Sequence, residues 1–475
     1  MRILFIVQQI DYEPLGIMHL SSAVKAAGHE VQLAIGARHD PVAVAGQFRP
    51  DVVAYSVITG SQRYYLELNR RLKATLPGVF SVFGGPHPTF FPEMVQEPGV
   101  DGICRGEGEQ ALVDLLAALA GGGPDAVLGV SNWSFCRNGE VIANPVRPYV
   151  EDLDGLPFSD RALVYESDPV AARGKIKHFL TGRGCPYNCT YCFNHALSGI
   201  YRGKGRRFRQ RSVGHVIEEI GWVRDHYPLE FVVFVDDTFV LSNEWLAEFA
   251  EEYPRQIGLP FFCNTRANLV TADQVRLLKA AGCHSVSMGV ESGNDRIRNE
   301  LLKRRMSKNQ ILEAARLLRE GGLNFATTSM IGLPTSTLED DFETLALNIQ
   351  ARPSYAHIFI FQPYPRTELG EFSREQGWMG SIDDIGEVAW DHSVLNFDDA
   401  HKRGLAVLQR FFAIGVEWPR TVSLIKRLVK LPDNSLFLLL NKLWKGWAIK
   451  NRIHPVKLSL REAVETVWHF MQIKS

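Results

Sequence analysis

The sequence predicts an α/β protein in two successive parallel-sheet arrays, a doubly wound N-terminal domain and then a partial (β/α)6 barrel, followed by a helical C-terminal region. Strand-length apolar runs alternate with helical patterns up to about residue 120, and the same alternation resumes near residue 177. Between the two lie a glycine-rich break, Gly121-Gly122-Gly123-Pro124, a hairpin-like stretch around Arg137-Asn138-Gly139, and a proline-containing connector through Pro157. A chain of 475 residues exceeds one ordinary hydrophobic core, so at least two sizeable domains are expected.

In the first array the strand candidates are residues 3–7, 31–35, 52–56, 80–83 and 102–104. Apolar strands joined by helices form a parallel sheet covered on both faces, here a Rossmann-like (flavodoxin-like) domain at residues 1–125, with a linker at 126–170. Open sheets of this kind bind ligands at the carboxyl ends of their strands. There the sequence places Ser56 and Thr59, then Gly84-Gly85-Pro86-His87, then Gly106-Glu107-Gly108-Glu109.

The second array has strand candidates at 178–180, 231–235, 261–264, 285–290, 326–331 and 357–361. Two intervening helical patterns open with capping-box spacing, Thr271 to Gln274 and Ser307 to Gln310. Six consecutive βα units predict a partial TIM-type barrel over 171–370, with its chemistry at the C-terminal strand ends. Residues 371–475 read as an irregular helical tail. Between Lys426 and Lys457 it interleaves Lys and Arg with Phe437, Trp444 and Trp447, a pattern that fits either a solvated basic face or a peripheral membrane contact.

The composition is 45% hydrophobic and 22% charged with a formal net charge of -1, which gives no overall pull toward nucleic acid. The first apolar run is closed by Gln8, Gln9 and Asp11, too soon for a secretion signal, and the run at 436–440 falls far short of the roughly 20 residues that a spanning helix needs. Seven cysteines, three of them within eight residues, indicate a metal site in a reducing compartment rather than a disulfide framework. A cytoplasmic location is expected. Cys104, Cys136, Cys263 and Cys283 are scattered and read as small buried apolar residues.

The strongest signal is Gly184-Cys185-Pro186-Tyr187-Asn188-Cys189-Thr190-Tyr191-Cys192, a CxxxCxxC arrangement. Three thiolates on one short loop can converge on a single inorganic core, and soft sulfur ligands select zinc or an iron-sulfur cluster. A closed zinc site would need a fourth ligand, for which His195 is the nearby candidate; an electron-transfer cluster takes four cysteines, and no fourth is near in sequence. A cluster with three protein ligands leaves one iron open for chemistry.

CxxxCxxC after the first strand of a βα array resembles the radical S-adenosylmethionine superfamily. The resemblance implies a 4Fe-4S cluster on Cys185, Cys189 and Cys192 whose open iron is chelated by the amino and carboxylate groups of S-adenosylmethionine, and a 5'-deoxyadenosyl radical released by one-electron cleavage of a sulfur-carbon bond. Further segments resemble the family's in order along the barrel. Asp236 or Asp237, at the second strand end, is implied to meet the ligand's ammonium, and Arg266 in Asn264-Thr265-Arg266 its carboxylate. Glu291 and Ser292 in Gly289-Val290-Glu291-Ser292-Gly293 resemble the ribose segment. Gly332-Leu333-Pro334 and Pro363-Tyr364-Pro365 resemble the adenine side. Two positions depart from the family pattern: Ser336 stands where relatives often have glutamate, and Arg366 where they often have glycine.

Ser56, Thr59, Gly84, Gly85, His87, Gly106 and Glu107 resemble the cobalamin-binding domain that precedes this barrel in one large branch of the superfamily. Small residues at adjacent strand ends leave a slot for a bulky cofactor. Dinucleotide binding would want GxGxxG where the chain reads Gln8-Gln9-Ile10-Asp11-Tyr12-Glu13, and a phosphoryl receiver would want aspartate where Ser56 stands. The Asp-x-His-x-x-Gly signature that places a histidine beneath cobalt is absent from that first loop, so the resemblance implies cobalamin without histidine ligation by that motif.

The implied activity is radical modification of an unactivated carbon in an organic, lipid or natural-product substrate, by methyl transfer or by ring closure or oxidation without it. An electron donor such as flavodoxin or ferredoxin is implied as a partner. The competing class is an iron-sulfur sensor or scaffold with an inactive barrel.

Overall fold

The computed structural model describes residues 1–380 and 392–456, which fall into two compact units. The first comprises Met1–Gly174, Leu197–Arg211 and Trp222–Pro228; the second comprises Lys175–Ala196, Ser212–Gly221 and the chain from Leu229 onward. Lys457 and the rest of the tail beyond it, with residues 381–391, lie outside the described residues.

The first unit is organised around a sheet of seven strands in the order β2-β1-β3-β4-β5-β6-β7. β1 (Arg2–Val7), β2 (Glu30–Ile35), β3 (Val52–Ser56), β4 (Phe80–Gly84) and β5 (Gly102–Cys104) pair in parallel, the 2-1-3-4-5 order of a flavodoxin-like sheet. Ile3, Leu4 and Ile6 are fully buried because helices cover both faces, which is why the strand reads as a continuous apolar run. β6 (Trp133–Arg137) and β7 (Glu140–Ala143) extend the sheet antiparallel, turned by Asn138 (φ 52) and Gly139 (φ 80) in the left-handed region that a tight hairpin requires. The stretch expected as a linker at 126–170 therefore carries two strands of the first sheet, since the glycine break bends the chain without ending the domain. Glu109–Gly129 is long and apolar enough to cross a membrane, a feature that counting unbroken apolar runs overlooks. Leu112, Leu115 and Leu116 of this stretch are nevertheless buried within the unit.

The second unit is built on six strands in sequence order: Ile176–Phe179, Phe231–Phe234, Phe261–Arg266, Cys283–Glu291, Asn324–Ile331 and Tyr355–Ile360. Every neighbouring pair is parallel, giving the expected partial barrel. Several strands outrun their apolar cores, because ladder pairing continues into polar residues: Asn264, Thr265 and Arg266 pair with Ser287, Met288 and Gly289. Ser307 and Gln310 close the expected capping box. Thr271 caps its helix, but the Gln274 side chain donates to Asn243 Oδ1 at 2.9 Å instead of turning back, so that box is half made. Thr337 and Asp340 form a second complete box. The strand starts are closed by the chain around Ile453 and His454: Ser285 Oγ donates to Ile453 O at 2.6 Å, and the His454 ring meets Phe231 and Phe262. Cys104, Cys263 and Cys283 are buried as expected, whereas Cys136, near the end of β6, is only half-buried.

Candidate active site

The cysteine loop leaves the first barrel strand and is anchored at once by Asp236. This buried carboxylate accepts from Thr181 N (3.0 Å), Thr181 Oγ1 (2.8 Å) and Gly182 N (2.6 Å). Burial raises its pKa to about 6 against the pull of those bonds. Further along, Thr190 Oγ1 donates to Leu301 O at 2.7 Å and Leu369 N to Thr190 O at 2.9 Å, fixing the loop between two later segments. Cys192 N donates to Cys189 O, and the helix Phe193–Ile200 starts immediately after. Burial pushes the Cys192 thiol up to about 11, with Cys189 and Cys185 near enough to add to the shift.

Two buried arginines converge on Cys189. Arg266 Nη1 donates to its Sγ at 3.3 Å and Arg304 Nη1 at 3.7 Å. Arg266 is otherwise engaged by Asn268 Oδ1 (3.1 Å), Arg304 O (2.9 Å) and the face of Tyr187, 3.7 Å from the ring centroid. Its guanidinium thus lies at the third strand end, as expected, with one nitrogen turned to Cys189. Arg304, which the sequence did not single out, is 5% exposed and donates to Gly289 O (2.7 Å) and Tyr191 OH (3.3 Å), with Glu291 Oε1 at 3.8 Å. Glu291 also accepts a hydrogen bond from Tyr191; burial raises its pKa, and Arg304 opposes the rise. Its backbone sits at φ 64, beside a register shift in the strand, an unfavourable conformation for glutamate that holds the carboxylate in place. A Cβ at Gly289 would stand 2.5 Å from Glu291 Oε1 and 2.8 Å from Arg304 Nη2, so any larger residue would displace the ends of both side chains.

Asp236, offered with Asp237 as an ammonium contact, is consumed in anchoring the loop. Asp237 is an exposed residue whose carboxyl is hydrogen-bonded to Asn194 and partly desolvated, which raises its pKa. Ser292 is buried and its hydroxyl accepts from Asn294 N at 3.2 Å. Gly332, at φ 67, donates its N–H to buried Asp341 at 3.1 Å, and Pro334 is buried two residues on. Tyr364 lies in a turn beside Phe193, ring centroids 5.3 Å apart, which brings it close to Cys192 in the fold. Arg366 has φ 66, so the position retains the backbone that favours glycine even though the side chain departs. Ser336 is buried.

In the first unit the strand ends gather Ser56, Thr59, Gly84, Gly85 and His87. Val57 N donates to Gly84 O and His87 N to Val57 O, while His87 Nδ1 lies 3.3 Å from Thr59 Oγ1. His87 stacks on Phe91, and burial lowers its pKa to about 4, so it is neutral at pH 7. A Cβ at Gly85 (φ 92) would press on Ser56 Oγ and the Val57 backbone at 3.0–3.1 Å. Gly106 joins the group through its N–H to Thr89 Oγ1 at 3.1 Å. Glu107, expected as a cofactor contact, is turned to structural duty: Oε1 pairs with Arg209 at 2.7 Å and Oε2 accepts from Val150 N at 2.8 Å.

These donor sets fit the groups that the motifs imply. Three thiols on one loop, with two guanidiniums at Cys189, suit a core that needs thiolates. Among the described residues no three His, Cys, Asp or Glu side chains gather tightly enough for a single ion, and His195 Nε2 lies 3.6 Å from Glu368 Oε2. An iron-sulfur core is wider than one ion and needs its sulfurs further apart. The low rim of glycines and small hydroxyl residues in the first unit suits a bulky planar cofactor, and His87 is held by Thr59 and Phe91.

A parallel doubly wound domain and a partial barrel headed by a three-cysteine loop define a two-part radical enzyme. Residues 179–347 match the radical SAM superfamily and residues 1–116 the B12 binding domain. A protein of Pyrococcus horikoshii described as an uncharacterized methyltransferase is 30% identical over 76% of this chain and 78% of its own length. The chain belongs to the cobalamin-binding branch of the radical SAM superfamily and is an enzyme of that family, whose cofactors are a 4Fe-4S cluster, S-adenosylmethionine and cobalamin. The anaerobic magnesium-protoporphyrin IX monomethyl ester cyclase of Rubrivivax gelatinosus is 26% identical over 76% of this chain and 66% of its own length. Among solved structures, the cobalamin-dependent S-adenosylmethionine radical enzyme OxsB, with aqua-cobalamin and S-adenosylmethionine bound, shares the fold with a TM-score of 0.69 at 18% identity, covering 99% of this chain and 75% of that one.

Proposed function

We propose that this chain methylates an unactivated carbon of an organic substrate. The observation that carries this reading is the pairing of a B12-binding domain with a barrel headed by a three-cysteine loop, in a chain 30% identical to a protein described as a methyltransferase. When bound, the family's cofactors supply an electron to cleave a sulfur-carbon bond of S-adenosylmethionine, a radical to abstract hydrogen, and a methyl group carried on cobalt.

The chain's own residues bind and orient. Cys185, Cys189 and Cys192 hold the cluster, and Arg266 and Arg304 donate to the sulfur of Cys189. Asp237 accepts from the ligand's ammonium, and Glu291 from the ribose hydroxyls. Ser292, Gly332, Pro334 and Tyr364 line the nucleoside. Ser56, Thr59, Gly84, Gly85, His87 and Gly106 receive cobalamin at the strand ends of the first unit. The seven unpaired thiols suit a reducing cytoplasm with flavodoxin or ferredoxin as electron donor.

The test is anaerobic turnover with an extract of the source cells, after expression with cobalamin. Methylation consumes two molecules of S-adenosylmethionine, so S-adenosylhomocysteine and 5'-deoxyadenosine should rise together. Their failure to exceed the Cys185→Ala background would refute the reading. 5'-Deoxyadenosine alone would favour ring closure or oxidation, the second reading, which the similarity to a cyclase supports.

A further inference from the structure

The helix Ser435–Ala448 turns an apolar side outward. Its inner side carries Phe437, which packs with Phe411, and Asn441, whose Nδ2 donates to Arg410 O at 2.9 Å. On the adjoining side, about 100° round the helix, Leu436, Leu440, Leu443 and Trp447 are 60%, 41%, 62% and 50% exposed. Their spacing of four, three and four residues makes one continuous stripe along the helix. Single exposed leucines are ordinary on a protein surface; an unbroken stripe marks a surface that meets something. Trp418, Leu424 and Leu431 of the neighbouring segments are exposed as well.

The charge around the stripe indicates what it meets. Residues 418–456 hold eight Lys or Arg and one acidic residue, Asp433, in a chain whose net charge is -1. Asp433 is itself paired with Arg410 at 3.2 Å. Arg427, Lys430 and Lys450 are exposed. A second copy of this chain would bring those cations face to face, which disfavours self-association. An anionic bilayer complements both features at once: leucines and tryptophans enter the boundary between headgroups and acyl chains while the cations meet lipid phosphates.

We propose that this face docks on an anionic membrane, with the helix Ser435–Ala448 lying in the plane of the interface. The surface is separate from the reaction proposed above, so either can fail without the other. Docking there holds the enzyme where apolar substrates partition.

The test is co-sedimentation of the full-length protein with vesicles of phosphatidylcholine alone or with one third phosphatidylglycerol, at about 0.1 and about 0.5 M salt. Binding should favour the anionic vesicles at least roughly tenfold, fall by a similar factor in high salt, and be lost in Leu440→Glu/Leu443→Glu. Arg427→Glu/Lys430→Glu provides a second variant that leaves the stripe intact and should also weaken binding to anionic vesicles. Two results would overturn the proposal: a vesicle-indifferent protein whose dimer dissolves in the leucine variant, identifying a second copy as the occupant, or a vesicle-indifferent monomer, showing that the chain covers the stripe itself.

Discussion

Replacing Arg304 with methionine probes the site where its charges are most tightly coupled. The substitution keeps side-chain length but removes the donors to Gly289 O and Tyr191 OH and leaves Glu291, whose side chain is 12% exposed, without the stronger of its two cations, Arg266 being the other. Breaking a buried pair from one side costs about 3 to 5 kcal/mol when the remaining charge stays ionised. The orphaned carboxyl can instead take a proton, which for an ordinary glutamate costs about 3.7 kcal/mol at pH 7, and less here because burial has already raised its pKa. The loss at pH 7 is therefore about 2 to 4 kcal/mol, and it should shrink toward pH 5, where the proton is easier to acquire. Urea unfolding of the cluster-free protein, followed by near-ultraviolet circular dichroism, measures it. Adding Glu291→Gln to Arg304→Met should recover at least half of the loss, since the orphaned carboxylate is then gone. A single-variant cost below about 0.5 kcal/mol, with no recovery in the double variant, would refute the coupling.

Glu291→Ala should weaken S-adenosylmethionine binding by about 1 to 3 kcal/mol through lost ribose hydrogen bonds; an unchanged dissociation constant by calorimetry would remove the residue from the site. At Gly293 an added Cβ would lie 2.3 Å from the Glu343 carbonyl oxygen, so Gly293→Ala should cost about 3 kcal/mol and lower the melting temperature, whereas a neutral result would show that the neighbouring helix gives way. Asp236 has a folded pKa of about 6 against an ordinary 3.8, so its contribution to stability is full below pH 3.8 and lost as pH rises through 6. Asp236→Asn should consequently show a flatter stability profile across that window, and parallel profiles would contradict the shift.

Both sheets were legible because fully covered strands are continuous apolar runs, and the cysteine loop because its spacing leaves few alternatives. The hairpin was visible in Asn138-Gly139, yet its membership of the first sheet was not: only pairing with β5 decides that. Arg304 escaped because it stands among Lys303, Arg304 and Arg305 in a loop without periodicity. In the fold Lys303 and Arg305 are exposed at φ 52 and turn only Arg304 inward. The one sequence hint was the alternation of exposed cations with buried Leu302 and Met306. Asp236 and Asp237 could not be told apart by type, because burial assigns one to the loop and leaves the other accessible. Arg266 was placed at the correct strand end, but the sequence could not show that its guanidinium faces a sulfur. The segment around Ser435–Ala448 was marked by its basic and aromatic residues, but which of its sides faces outward was not legible, because an apolar helical face ordinarily points inward.

Mössbauer spectroscopy of the anaerobic, 57Fe-loaded protein, recorded with and without S-adenosylmethionine, tests directly whether three cysteines leave one iron open. A four-iron cluster in which a single iron site shifts on adding the ligand is the predicted result. A spectrum indifferent to the ligand, or a protein that binds zinc in place of a cluster, would contradict it.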